Sequence, residues 1–176
     1  TVTDNGSPVL NDSETITISV ASEANLAPVV NDQTFSIAEN SVNGTVVGTI
    51  LATDPNAGQA LSFALTGTAF AVNATTGQIT VANSALLNFE TTPTFLSTAA
   101  VTDNGSPILS DTAVIRIDLT NVNEAPVAVA DTVTTAEDTA ITILGSTLLA
   151  NDSDPDNEMP LNQGLTITAV GNAVNG

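Results

Sequence analysis

The amino-acid sequence predicts an all-β protein built from tandem, seven-stranded Greek-key β-sandwich modules, and two observations lead to this expectation. The first is a repeat: VTDNGSP stands at positions 2–8 and returns, letter for letter, at 101–107. The second is an alternation of apolar and polar residues with a period of two, which is typical of half-buried strands. Repetition at about the length of one domain indicates tandem modules.

The turn signals between the apolar runs define one complete module over residues 28–125. Short strands separated by Asn- and Gly-rich turns, within about 100 residues, are typical of a two-sheet Greek-key sandwich. The predicted strands lie near 33–39, 45–54, 59–66, 69–73, 77–82, 95–103 and 112–120. Residues 1–27 are then expected to be the C-terminal strands of a preceding module, and residues 126–176 the N-terminal strands of a following one.

The alternation also predicts which side chains point into the sandwich. In the last strand the inward set is Ala113, Ile115, Ile117 and Leu119. In the second strand it is Val46, Gly48, Ile50 and Ala52. In the sixth strand it is Phe95, Ser97, Ala99 and Val101. Two of those last four are small, so either larger neighbours fill the space or the register of this strand differs.

The charge of the chain excludes several classes of partner. With 19 acidic residues, one basic residue and no histidine, the formal net charge is −18. Such a surface repels nucleic acid and anionic membranes, which require Lys and Arg to neutralise phosphate. No apolar run approaches the length of a membrane span, so we expect no direct membrane insertion. The same charge should attract divalent cations.

Catalytic chemistry is not expected from this composition. The chain contains no cysteine, histidine or lysine, which excludes disulfides, thiolate nucleophiles and Schiff-base chemistry. Paired carboxylates can hydrolyse glycosides, but the usual aromatic sugar platforms are missing, since Trp and Tyr are absent. We therefore predict that the protein is not an enzyme and has no catalytic residues. The single possible trypsin site, Arg116, fits a secreted protein.

Oxygen-bearing side chains cluster where the predicted strands end. Because consecutive strands of such a sandwich end at opposite poles, these groups should separate into two sets. The pole near the previous module would receive Asp54, Asn56 and Asp103. The pole near the next module would receive Glu39, Asn88, Glu90, Asn121, Asn123 and Glu124, joined by Asp154 and Asp156. Oxygen donors are what Ca²⁺ requires, typically 6–8 of them, and without His or Cys a zinc or copper site is disfavoured.

The ordered motifs AEN, ATDPNAGQ, LNFE, VTDNGSP and NVNEAP resemble the calcium-site motifs of cadherin repeats. The match is closest to the cadherin-like modules of large bacterial surface adhesins. The later stretches TVTTAEDTAITI, LLANDSDPDN and LTITAV are similar to the start of a related module found in the same proteins. The resemblance covers nearly the whole chain. It implies a cadherin/Ig-like fold with Ca²⁺ at the junctions between modules.

The resemblance also implies two ligand sets. The complete junction would use Glu39, Glu90, Asn121, Asn123, Glu124, Asp154 and Asp156. Half of the earlier junction would use Asp54, Asn56 and Asp103 with the linker residue Asn25. Asn56, Asn88 and Asn121 stand where the family often has an acid, so fewer ions or weaker binding are expected. Taken singly, these motifs have structural alternatives: Asp103 could be an ordinary turn residue, Glu39 a solvated strand end, and SDPDNEMPLNQG at 153–164 a flexible acidic loop.

The expected function is that of a structural and adhesive segment of an extracellular cell-surface protein, stiffened into a rod by Ca²⁺. Its expected partners are adjoining modules of the same or neighbouring chains, with surface polysaccharide or other cells as further candidates. Two alternatives stay open. One is a calcium-dependent carbohydrate-binding module. The other is a filament subunit whose incomplete terminal modules complement one another head to tail.

Overall fold

The computed structural model describes residues 1–19, 23–157 and 164–169. Within these ranges, helix is confined to short segments: α1 (Gly145–Leu148) and two 3₁₀ turns, Ser84–Leu86 and Pro155–Asn157. None of the helices in these ranges has the length and apolar character needed to cross a bilayer. The strands are β1 (Val2–Thr3), β2 (Asn11–Asp12), β3 (Val29–Val30), β4 (Gln33–Ala38), β5 (Val46–Thr49), β6 (Ala52–Thr53), β7 (Ser62–Leu65), β8 (Phe70–Val72), β9 (Gln78–Val81), β10 (Thr94–Thr102) and β11 (Ser110–Thr120).

Strands β3–β11, over residues 29–120, form an all-β sandwich, as predicted. One sheet has the strand order β4-β11-β10-β7, another has β5-β9-β8, and β3 pairs with β6. All of these pairs are antiparallel except β4 with β11, which run parallel. The seven predicted strands correspond to β4, β5 with β6, β7, β8, β9, β10 and β11. Because β4 and β11 run parallel, the end of β4 and the exit of β11 lie at the same pole of the module.

The inward register predicted for the two longest strands is confirmed. In β11, Ile115 and Ile117 are fully buried, and the outward Val114 is 44% exposed. In β10, the small residues Ser97 and Ala99 are buried and face inward. The ring of Phe95 packs edge-on against Phe70, with centroids 5.3 Å apart. The small residues therefore lie at the inward positions that were predicted for them, and the register of β10 is the predicted one.

The register predicted for the second strand is wrong at Val46. Val46 is 54% exposed, whereas Val47 packs against the core. The cause is an irregularity in the pairing of β5 with β9 between Val46 and Gly48, which moves one side chain to the other face. Gly48 lies so close to Phe35 that a Cβ there would be 2.4 Å from the ring. A bulge next to a glycine explains why simple alternation fails here.

The repeated VTDNGSP segments adopt the same local structure. In each copy Oδ1 of the aspartate accepts hydrogen bonds from the N–H groups two and six residues downstream. The two distances are 3.1 and 3.0 Å for Asp4. They are 3.1 and 2.9 Å for Asp103. The Ser-Pro bond is cis in both copies. One oxygen of this aspartate thus organises the hairpin turn, which leaves the other for contacts at the pole.

Candidate metal centre

Glu39 anchors the pole from which β11 leaves the module. It follows directly on β4, and only 2% of it is exposed. One carboxylate oxygen accepts from the N–H of Phe89 at 2.7 Å, and the other accepts from the N–H of Val122 at 2.9 Å. A buried carboxylate requires such partners. Glu39 thereby joins the end of β4, the 87–90 turn and the linker after β11.

Two further carboxylates lie beside Glu39. Carboxylate oxygens of Glu39, Glu90 and Glu124 all lie within 4.8 Å of one another. Burial raises the pKa of the Glu90 carboxyl above its ordinary value, and repulsion by three neighbouring carboxylates raises it further, against one backbone hydrogen bond that lowers it. Like charges this close destabilise one another unless a cation lies among them.

Asp156 brings the segment after the linker to the same place. It is fully buried, and its Oδ2 accepts a short hydrogen bond from the backbone N–H of Glu124. Asp154 positions it, since the Oδ1 of Asp154 accepts from the N–H of Asp156 at 2.9 Å. A two-residue β-bridge between Val127 and Ser153 holds the adjoining backbone.

The donor atoms of this cluster fit a hard cation. Burying a polar atom without a hydrogen bond is unfavourable, and orphaned oxygens of this kind are what a metal ion would satisfy. Among the described residues, the orphaned oxygens of the cluster are Glu90 Oε2, Asn121 Oδ1, Glu124 Oε2 and Asp156 Oδ1. All four are oxygens, three of them carboxylate, which matches the ligand preference of Ca²⁺.

Two predicted ligands at this pole already make protein contacts. Asn88 caps its own turn: its Oδ1 accepts from the N–H and the hydroxyl of Thr91, at 2.8 and 2.5 Å. Asn123 donates its side-chain N–H to the carbonyl of Glu124 at 3.2 Å. Both lie next to the cluster in sequence, and their role as ligands stays a prediction.

The opposite pole collects the second predicted set. Asn25 donates to Oδ2 of Asp103 at 2.8 Å, and the N–H of Asn56 donates to Oδ1 of Asp54 at 2.7 Å. Burial raises the pKa of the Asp103 carboxyl, but three hydrogen bonds outweigh it and hold the pKa below its ordinary value. Asp54 Oδ2 is buried without a partner. The sequence-predicted residues of this pole are therefore also brought together.

Two residues that sequence reasoning missed complete these poles. Asn40 donates to Oε1 of Glu124 at 2.6 Å, from a backbone with φ of +56° that Asn tolerates better than most residues. Asn40 could have been found from the sequence, because it directly follows Glu39 in the AEN motif. Gln59 donates to Oδ1 of Asn25 at 2.5 Å across the sandwich pole. Gln59 is the last residue of the ATDPNAGQ motif, but that motif does not predict this contact, because the contact depends on how the linker packs.

Comparison with known proteins identifies two families along the chain. A family model described as the cadherin domain matches residues 33–120, and one described as a bacterial Ig domain matches residues 123–176. Human Protocadherin-17 is 32% identical over 173 residues, which is 86% of this chain and 15% of that protein. The Drosophila melanogaster protocadherin-like wing polarity protein stan is 31% identical over 135 residues, 72% of this chain and 4% of that protein. The chain thus spans a small part of these relatives.

Solved structures show the same fold. The cis-dimer structure of protocadherin gammaB7 EC3-6 is 27% identical, with a TM-score of 0.55 over 75% of this chain and 35% of that one. Cadherin domains are typically extracellular, calcium-binding adhesion modules, and members of the family are structural proteins rather than enzymes. The sandwich of residues 33–120, the carboxylates at its pole and these relatives together show that this chain belongs to the cadherin family.

Proposed function

We propose that this chain is a calcium-stiffened segment of an extracellular, multi-module bacterial surface protein that takes part in adhesion. The observation that carries the proposal is the meeting of three glutamates, from a strand end, a turn and a linker, with oxygens within 4.8 Å. The match to a bacterial Ig domain next to the cadherin domain supports the bacterial assignment. The net charge of −18 supports a role in a setting rich in divalent cations.

The bridging residues come from both sides of the linker. Glu39 and Glu90 belong to the complete module, Glu124 to the linker, and Asp156 to the segment that follows. Asn121 and Asp154 would contribute further oxygens. A bound Ca²⁺ would supply the positive charge that this cluster lacks. Because the same ion would be held by module, linker and following segment, its binding energy would be available only while the three stay aligned.

Without a cation, the same residues oppose alignment. The carboxylates of Glu39, Glu90 and Glu124 repel one another, and four buried oxygens at the cluster have no partner. In that state hydrogen bonds within the protein must hold the linker after β11 against the repulsion, among them those from Val122 to Glu39 and from Asn40 to Glu124. The joint is therefore expected to loosen when the cation is removed, while the apolar core of the sandwich stays folded.

Calorimetric titration with Ca²⁺, with Mg²⁺ as control, tests the proposal first. Saturable heat selective for Ca²⁺, with affinity in the range of about 10⁻⁴–10⁻³ M known for extracellular modules, supports it. Absence of heat, together with a melting temperature that a chelator does not change, would overturn it.

Small-angle scattering of Glu90→Ala in Ca²⁺ tests whether the ion stiffens the joint between the module and the segment that follows. We expect the variant to lose the extended form of the wild type while the module stays folded, as judged by its melting transition. Glu14→Ala, at an exposed glutamate far from the cluster, is the matched control. A scattering curve for Glu90→Ala that stays as extended as the wild type would contradict the proposal.

A further inference from the structure

The chain contains two linkers of the same design, which permits an internal comparison. NLAP at 25–28 corresponds to NEAP at 123–126, so Leu26 stands where the second linker has Glu124. DPN at 54–56 corresponds to DPD at 154–156, so Asn56 stands where the following segment has Asp156. At both positions the first linker replaces a carboxylate with an uncharged side chain.

The backbone bonds of the two linkers are nevertheless the same. The N–H of Leu26 donates to Oδ1 of Asn56 at 2.8 Å, just as the N–H of Glu124 donates to Oδ2 of Asp156. Each acceptor is positioned by the aspartate two residues before it, at 2.7 Å in the first case and 2.9 Å in the second. The two attachments can therefore be compared atom by atom.

The two attachments differ in the second polar atom of the accepting side chain, which is Asn56 in the first and Asp156 in the second. Nδ2 of Asn56 donates to the carbonyl of Ala24 at 3.0 Å. The side-chain amide of Asn56 therefore makes two hydrogen bonds to the linker, one as donor and one as acceptor. The corresponding Oδ1 of Asp156 is buried with no partner. A carboxylate cannot donate, so it cannot make the bond to a linker carbonyl that the Asn56 amide makes.

The side-chain amide of Asn25 makes further hydrogen bonds between the first linker and the module. Its Nδ2 donates to Oδ2 of Asp103 at 2.8 Å and to the carbonyl of Pro107 at 2.7 Å, while its Oδ1 accepts from Gln59. Gly105 makes room for this side chain, since a Cβ there would lie 2.1 Å from Asn25 Oδ1. The first linker is thus fastened to the module by hydrogen bonds within the protein.

We propose that the two linkers differ in their need for a cation: the amide hydrogen bonds of Asn25 and Asn56 hold the first linker without one. The second linker, whose hydrogen bonds end on clustered carboxylates, needs a cation to offset their repulsion. The statement about the second linker rests on the proposed function, and that about the first does not. Asp54 Oδ2 and Gln59 Oε1 are also buried without partners at the first pole. A cation bound there would leave the linker in place, because the linker bonds use other atoms. Removing Ca²⁺ would then release one joint of the chain and keep the other.

Amide hydrogen exchange of the full chain, followed by NMR in Ca²⁺ and in chelator, tests this. The probes are the N–H groups of Leu26 and Glu124, which occupy equivalent positions. We expect chelation to reduce protection of Glu124 by about tenfold or more and to change that of Leu26 by less than about twofold. If both lose protection, the inference is overturned and the proposed function stands. If neither changes, both are overturned. An unprotected Leu26 in either buffer also overturns the inference.

Asn56→Asp provides the converse test. The substitution removes the donor to Ala24 and places a second carboxylate beside Asp54, which recreates the arrangement of the second linker. We expect the Leu26 N–H to lose protection in chelator and to regain it in Ca²⁺, and this recovery separates the effect from misfolding. If the Leu26 N–H stays protected in chelator in this variant, the hydrogen bond from the Asn56 amide to Ala24 is not what holds the linker, and the inference fails.

Discussion

The buried carboxylate of Glu39 accepts a hydrogen bond from the backbone N–H of Val122 at 2.9 Å, which ties the end of β4 to the linker that leaves β11. Its other oxygen accepts from the N–H of Phe89. One side chain therefore serves two purposes. It organises the pole of the module by itself, and it brings a negative charge to the place where Glu90 and Glu124 converge.

Glu39→Gln should separate these two purposes. Glutamine offers one acceptor oxygen instead of two, so one of the two N–H groups loses its partner. We expect the free energy of unfolding in chelator to fall by about 1–3 kcal/mol, with part of the loss offset by relief of repulsion. Denaturant unfolding measures this, with Glu14→Gln as control. An unchanged midpoint would show that Glu39 has no structural role beyond its charge.

Glu90→Gln should have the opposite effect in chelator. Glu90 Oε2 has no hydrogen-bond partner, and burial and nearby carboxylates raise the pKa of this residue. Removing its charge relieves repulsion, so we expect a gain in stability of about 1 kcal/mol or less. In Ca²⁺ the variant should instead melt below the wild type, because a ligand charge is lost. Thermal melts in both buffers check the crossover, and a loss of stability in both would contradict it.

Asp111 should make the module sensitive to acid. Hydrogen bonds from the N–H groups of Val30 and Thr112 hold the pKa of Asp111 below its ordinary value, against burial, which raises it. The folded protein then binds fewer protons than the unfolded one. The resulting stability is fully present above the ordinary pKa of about 4 and is lost as pH falls through the lowered value.

Asp111→Asn tests that dependence. Melting temperatures of the wild type in chelator should decline as pH falls below about 4, and the variant should decline less steeply. Asp131→Asn, at an exposed aspartate, is the control. Parallel curves for the wild type and Asp111→Asn would show that the bond from Val30 carries none of the acid sensitivity.

Val47→Ala and Val46→Ala form a matched pair for the bulge in β5. Val47 packs against the core and Val46 is 54% exposed. We expect the first substitution to destabilise the module by about 1 kcal/mol and the second by less than about 0.5 kcal/mol. Denaturant unfolding checks both. The reverse order would mean that strict alternation holds along this strand and that the bulge is absent in solution.

Most of the fold could be predicted from alternation and turn signals, and the exceptions are instructive. The registers of β10 and β11 follow from period two because both strands pair continuously over their length. The register of β5 does not, since the bulge beside Gly48 depends on how closely Phe35 approaches. Sequence reasoning did not foresee that the side-chain oxygen of Asn88 accepts hydrogen bonds from Thr91, and the role of Asn88 as a ligand stays a prediction.

The sequence by itself determined the sandwich, the two poles and the oxygen-rich chemistry of each, because strand period, turn residues and charge are local properties of the chain. The tertiary structure alone decided which oxygens are satisfied and which are left without partners. Asn56 and Asp156 are similar in shape and occupy equivalent turns. Asn56 makes two hydrogen bonds to its linker, whereas Asp156 has a buried oxygen without a partner. The residue type decides that only Asn56 can donate. Which groups lie within reach of each side chain depends on contacts between segments distant in sequence, which no local pattern encodes.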